Sequence, residues 1–333
     1  MMKIKKSDME QTLYNLFLKK GFLKDISKTL ANVFTENTLC GVNSHGINRV
    51  SLFLDYAEKN LITKNNKPKK VETFGNIERW DGNNGPGITN AITCTNRAVE
   101  IAKTSGIGIV ALRNTNHWMR GGYYGWQAAD ANCISILFTN TKPNMPAWGG
   151  KELRLGNNPF IVSIPRKNGH VVLDMAVSQF SFGKIEQYKL KGEQLPIDGG
   201  WDNNNNLTKN PEDILASERA LPLGYWKGSA LSLVLDMLAT VLASGKSTYK
   251  LGLEPYETGV SQVYICIDKD TIGNTELQER LLNEIIDYTH DVTPVSKGTK
   301  TYYPGERVLK VRTKNLKEGI PVNTEIWNHI LNL

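Results

Sequence analysis

The chain has 333 residues, 40% of them hydrophobic and 22% charged, with a formal net charge of +7 and a pI near 9.0. That length buries a large core, as two domains or one big one. The basic balance does not by itself mean nucleic acid: dense lysine clusters occur only at Lys3–Lys6 and Lys67–Lys70, with no aromatic-interleaved basic stripe or zinc-finger spacing.

Ser7–Cys40 reads as two helices broken near Gly21, with Met9, Leu13, Leu16 and Phe17, then Leu30, Val33 and Phe34, at helical spacing. Ile47–Ala57 continues in that manner. From Gly106 the texture changes to short β-rich runs: Gly106–Leu112, Ile134–Thr139, Phe160–Ile164, Val171–Met175 and Val260–Ile267. Runs that are apolar without alternation predict strands covered on both faces. The polar residues after them should then gather at strand ends, where ligand sites form. Asp198–Pro211 reads as a surface loop. Ser229–Ala243, almost wholly apolar, is expected to be a buried central helix. Its apolar core, Ala230–Ala243, is broken by Asp236 and falls short of the ~20 residues that span a bilayer. A helix from Thr275 to about Tyr288 follows, then a lysine-rich stretch and a short helix at Thr324–Leu331. The whole predicts an α/β fold whose first and last segments share a helical layer.

Met1–Lys6 carries charge without an apolar stretch behind it, so no secretory signal is visible and a cytoplasmic protein is expected. Cys40, Cys94, Cys133 and Cys266 lie far apart with no CxxC spacing, which reads as reduced thiols. His45, His117, His170, His290 and His329 are too dispersed for a metal site, and no G-x-S-x-G or Cys-His pattern offers a nucleophile. Two tempting patterns fail. Gly106–Ala111 matches G-x-G-x-x-A, but these residues read as a strand, not the turn opening a helix that a dinucleotide fingerprint needs. Gly245-Lys246-Ser247 resembles the end of a P-loop, yet Thr240 stands where its first glycine belongs.

Three groups carry chemistry better. In Ser44–Arg49, Ser44 can cap a following helix, which would put His45 and Arg49 four residues apart on one face. An imidazole that gives a proton beside a guanidinium that holds an anion suits a carbonyl substrate with a carboxylate. A histidine packing a helix beside a surface arginine would look the same. Arg113–Gly122 crowds cationic and polar groups at a strand end, with His117 as a second acid/base candidate. Thr139–Thr141, Asp174–Ala176 and Trp226–Gly228 complete the set. Lys227 stands at the start of the long helix, where an anion such as a pyrophosphate is favoured. With no metal or nucleophile in view, proton transfer plus an external redox cofactor is the economical chemistry.

These segments, in this order, resemble the malate/L-lactate dehydrogenase family that lacks the Rossmann fold. The segments that carry it are Ser44–Arg49, Ala111–Asn114, Asn116–Gly122, Tyr124–Ala129, Gln194–Gly200, Gly224–Ser229 and Tyr303–Glu306. The resemblance spans nearly the whole chain and is strongest to the branch that reduces 2,3-diketo-L-gulonate, to which His117–Gly122 is quite specific. It implies a β-rich nicotinamide-binding domain over residues 76–275, a helical substrate-side part over 1–75, and a C-terminal segment, 276–333, returning to the helical layer. It implies reduction of a small keto acid by NADH, with NADPH as the alternative cofactor, and a homodimer. His45 would donate the proton, His117 would orient or exchange protons, and Arg49 would bind the carboxylate, with Ser44 and Asn48 as further substrate contacts. Cofactor contacts carry over to Thr141, to His170, Val171, Val172, Leu173, Asp174, Met175 and Ala176, to Trp226 and Lys227, and to Gly305, Glu306 and Arg307. Gly156–Pro159 and Val177–Gln179 depart from the branch pattern. Malate, lactate, ureidoglycolate or a cyclic imino acid are therefore the alternative substrates within the family, and a noncatalytic binding protein on the same scaffold is the alternative outside it.

Overall fold

The structure is a computed structural model that describes residues 1–333. Its centre is a seven-stranded sheet made of β1 (Lys69–Phe74), β2 (Ile77–Asp81), β3 (Ile107–Thr115), β4 (Cys133–Thr139), β5 (Phe160–Ile164), β6 (Val171–Met175) and β7 (Val260–Asp268). The spatial order is β1-β2-β3-β7-β4-β5-β6, and only the β2–β3 pair is parallel. The five β-rich runs read from the sequence are all strands. Alternate side chains explain why those runs lack polar gaps. Val110, Leu112, Leu137 and Tyr264 pack against the helices Gly87–Ser105 and Gly121–Asp130, while Ala111, Phe138 and Val263 pack against the helix Trp226–Ala243. Gly106–Ala111 does run into a strand, so no dinucleotide turn forms there.

The helices Lys6–Lys19 and Lys24–Leu39 break at Gly21, as the spacing predicts. With Val50–Glu58 they enclose Phe17, Phe22, Phe34 and Phe53, whose ring centroids lie 5.5 to 5.9 Å apart. The C-terminal segment does rejoin this layer: Ile320–Val322 pairs with Met2–Ile4, and Trp327 and Ile330 enter the same core.

The long apolar helix departs from expectation. Trp226–Ala243 buries Gly228, Ser232, Leu235, Ala239 and Ala243 along one face, but Leu233, Val234, Met237, Leu238 and Val241 stand exposed on another, Val241 at 72%. It is long and apolar enough to cross a membrane by length and composition, yet one face lies flat on the sheet. An all-apolar helix must be covered on every side, and a single sheet covers only one side. Asp236 interrupts it for a local reason: its carboxylate accepts hydrogen bonds at 2.8 Å from the Asn140 amide and the Thr248 backbone N–H, anchoring the turn after β4.

Candidate active site

The carboxyl end of β4, the start of β5, the carboxyl end of β6 and the segment after β3 converge on one side of the sheet, facing the segment 43–49. Between them lies a pocket of about 440 Å³ lined by Ser44, His45, Asn48, Arg49, His117, Met119, Arg120, Thr141, Asn144, Asn157, Asp174, Ala176 and Glu257, among others. Only four of its twenty-one lining residues are apolar. The helix Phe182–Lys191, capped by the Ser181 hydroxyl, closes the far wall with Phe182, Glu186 and Gln187.

His45 and Arg49 both reach the pocket, but not from one α-helical face. Two 3₁₀ turns, Asn43–His45 and Ile47–Arg49, meet at Gly46, and the α-helix begins only at Val50. Gly46 breaks the helix because its backbone passes directly against Thr38, leaving no room for a Cβ, and the Thr38 hydroxyl accepts the Ile47 N–H at 2.9 Å. Ser44 therefore caps nothing; its hydroxyl lies 3.1 Å from His45 Nδ1 and orients the ring.

The two imidazoles stack, with centroids 5.8 Å apart and planes 20° from parallel. Burial lowers the His45 pKa to about 4; Arg49 and Arg120 push in the same direction, and the Asp174 carboxylate opposes them. Burial also holds His117 well below the usual imidazole value, aided by Arg49 and His45. His117 is fixed further: its Nδ1 accepts the Met119 N–H at 2.9 Å, so the neutral ring carries its proton on Nε2. Met119 reaches this position with φ at 66°, a conformation that costs an L-residue about 1–3 kcal/mol.

Charge in the pocket is unevenly committed. Arg120, almost fully buried, pairs with Asp174 at 3.5 Å. Arg49 has no carboxylate within ion-pair distance. Glu257 accepts the Lys142 N–H at 2.9 Å, and burial raises its pKa. The Thr141 hydroxyl donates to Asn157 at 3.1 Å, and Asn158 ties its backbone to the Trp226–Ala243 helix through Ser232.

The residues read from the sequence as cofactor contacts form a strip leading out of this pocket. Thr141, Asp174 and Ala176 line the pocket itself. Val171, Val172, Leu173 and Met175 belong to β6, the edge strand, whose Val172 N–H turns outward to Pro304 O at 2.8 Å. Gly305, at φ 97°, sits against the His170 carbonyl and the Val172 N–H at the other end. A second cleft of about 660 Å³ opens there, lined by Arg120, Trp126, Arg166, Lys167 and His170. Both His170 nitrogens are engaged, one with Asp130 and one with the Arg166 N–H, each at 3.0 Å. Glu306 is bonded to His290 and Lys310, and the Arg307 guanidinium rests 5.6 Å from the centre of the Tyr302 ring. Trp226 and Lys227 lie outside the pocket, just beyond the strip, where Gly228 packs on the Val177 carbonyl. Glu257, Asn144, Asn157, Glu186 and Gln187 are pocket residues that sequence reasoning did not single out, and Arg120 was visible only as part of its segment.

The malate/L-lactate dehydrogenase family model matches residues 4–331. A 2,3-diketo-L-gulonate reductase of Klebsiella pneumoniae is 40% identical over 330 residues, 99% of each chain. Among solved structures, a sulfolactate dehydrogenase of Methanocaldococcus jannaschii superposes with a TM-score of 0.88 at 27% identity, covering 100% of this chain and 98% of that one. A malate dehydrogenase of Entamoeba histolytica shares the fold with a TM-score of 0.93 at 22% identity, over 100% and 98% of the two chains.

Proposed function

The chain belongs to the malate/L-lactate dehydrogenase family of oxidoreductases, and from that premise we propose that it is an NADH-dependent reductase of 2,3-diketo-L-gulonate. The observation that carries this reading is the pocket: two stacked imidazoles beside an unpaired guanidinium, in a lining dominated by polar side chains. A small alkyl keto acid would leave most of that polar lining without partners. The closeness to the Klebsiella pneumoniae reductase supports the same substrate.

The residues present fit a dinucleotide. The strip along β6 offers an edge strand, a glycine where a side chain would obstruct, and cations in the cleft at its end. The buried indole N–H of Trp126 in that cleft has no partner. Thr141, His170–Ala176 and Gly305–Arg307 would hold the cofactor along this strip, with Trp226 and Lys227 beyond it. When bound, NADH supplies the hydride.

The chain's own residues do the rest. Arg49 binds the substrate carboxylate and so turns the keto group toward the imidazoles. His117 stays neutral and presents Nε2–H to the carbonyl oxygen as a hydrogen-bond donor. His45 delivers the proton. Burial chiefly lowers its pKa in the pocket without substrate; a carboxylate against Arg49 removes one of the two cations that add to it, while Asp174 continues to favour the imidazolium. Ser44 holds the His45 ring in place through Nδ1, leaving Nε2 for the substrate oxygen. Two copies pair through the exposed face of Trp226–Ala243, which would otherwise leave a large apolar patch in water.

The test is NADH oxidation followed at 340 nm with 2,3-diketo-L-gulonate, pyruvate, oxaloacetate and a cyclic imino acid. The diketo acid should give the highest kcat/KM. Faster turnover of pyruvate or oxaloacetate would overturn the substrate, and turnover with NADPH alone would overturn the cofactor.

A further inference from the structure

Beyond the imidazoles the pocket is an array of hydrogen-bond acceptors. Glu257 uses one carboxylate oxygen, Oε2, to accept the Lys142 N–H, and its Oε1 has no partner. The Lys142 ammonium does not bond to it, because that group donates to the Glu254 and Pro255 carbonyls instead. Two residues along the same loop, Asn144 gives its amide N–H to Asn157 at 3.0 Å, while its Oδ1 is buried with no donor at all. Glu186, on the opposite wall, forms no ion pair. The pocket thus holds one uncommitted cation, Arg49, against two uncommitted carboxylates and an orphaned amide oxygen.

Such a lining discriminates between ligands by simple chemistry. A buried acceptor without a donor, such as Asn144 Oδ1, is costly, and an unpartnered carboxylate oxygen such as Glu257 Oε1 is a strong acceptor, so a ligand gains most by bringing O–H groups to them. A second carboxylate on the ligand would meet acceptors, Glu257 Oε1 and Asn144 Oδ1, where it needs donors, and the exposed Glu186 adds a like charge nearby. We infer that Glu257, with Asn144, is a selectivity determinant that admits a polyhydroxylated monocarboxylate. Arg49 takes the carboxylate, and the two acceptors take hydroxyl protons farther along the carbon chain. This rests on the proposed role of Arg49, but not on the identity of the sugar acid or on turnover. Glu257 also lines the small chamber behind the pocket with Arg49, Tyr56, Asn116 and His117, so it stands on the same side as the anion-binding group.

Glu257→Gln tests the inference sharply. The amide oxygen can keep the bond to the Lys142 N–H, and the atom facing the cavity then changes from acceptor to donor. Calorimetric titration of L-gulonate and L-malate into NADH-saturated protein reads the effect without turnover. The wild-type protein should prefer gulonate, and the variant should lose about 10- to 100-fold of that preference, the weight of one hydrogen bond to a charged group. Asn144→Leu, which removes the second acceptor, should weaken gulonate and leave malate less affected. Equal changes for both ligands in Glu257→Gln would overturn the inference and reduce Glu257 to a loop tether. Selective gulonate binding without any reduction of 2,3-diketo-L-gulonate would support Glu257's role while overturning the proposed substrate.

Discussion

Around the His170 end of β6 nearly every charge is spent on the protein itself, whereas around the Met175 end, apart from the Arg120–Asp174 pair, charges and acceptors are left free. At the first end, Arg166 donates to the Gly169 and Asn168 carbonyls, Asn283 and the Tyr303 hydroxyl, all within 2.8 to 3.1 Å. Close by, the buried Lys269 bonds Pro165 O and Glu279, and Arg312 forks onto Glu36. At the second end Arg49, Glu257 Oε1 and Asn144 Oδ1 have no such partners. Satisfied charges fix a shape, so the first end suits the part of a cofactor that does not react. Unsatisfied ones bind and discriminate, so the second end suits the substrate.

The comparison predicts that mutations at the two ends fail differently. His45→Ala should lower kcat about 10²- to 10⁴-fold, the usual worth of a general acid, with NADH affinity by fluorescence unchanged. An equal loss of NADH binding would blur the two ends and count against it. Lys269→Ala should do the opposite. Removing one partner of a buried ion pair costs about 3–5 kcal/mol in urea unfolding, and kcat of the folded protein should hold. Arg49→Ala should raise KM for the keto acid about 10- to 100-fold with a smaller change in kcat, as loss of a charge-assisted bond in the ground state predicts.

Acid should weaken the fold through the substrate end. His45 titrates near 6.5 when unfolded and about 4 when folded, so the unfolded chain binds the extra proton between those values. Its contribution is fully present above pH 6.5 and is lost as the pH falls toward 4, by up to about 3 kcal/mol at the conversion of 1.36 kcal/mol per unit. Burial chiefly sets that value, with Arg49 and Arg120 adding to it and Asp174 opposing, and His117 adds in the same direction. Unfolding followed from pH 7.5 to 4 should show the slope, and it should flatten in His45→Ala. Smallest in its effect on chemistry is Val241→Asp, which should yield a folded monomer by sedimentation. A dimer that survived would move the interface off the Trp226–Ala243 face.

The sequence was most readable where one physical cause dominates. The five apolar runs had to be covered strands, and the positions of Leu13, Phe17, Leu30 and Phe34 had to form a helical core. β1 escaped notice because all six of its residues are exposed and mixed in character, so no periodicity marks it. His45 and Arg49 were legible as a pair, but their geometry was not. The clash that forces Gly46 to end the turn comes from Thr38, on another helix. Glu257 is one of two acids, with Glu254, in a loop that also holds Pro255, Tyr256 and Thr258, and only the fold turns it toward Arg49. The Trp226–Ala243 helix shows a different limit: composition reveals that an apolar face must be covered, not by what.

The central claim is a hydride delivered to a keto carbon in the pocket of His45 and His117. The direct measurement uses NADH deuterated at both C4 positions, 2,3-diketo-L-gulonate and mass spectrometry of the product. One deuterium per product molecule on carbon, formed by the wild-type protein and at least a hundredfold more slowly by His45→Ala, is the predicted result. Product without carbon-bound deuterium, or equal rates from both proteins, would contradict the account.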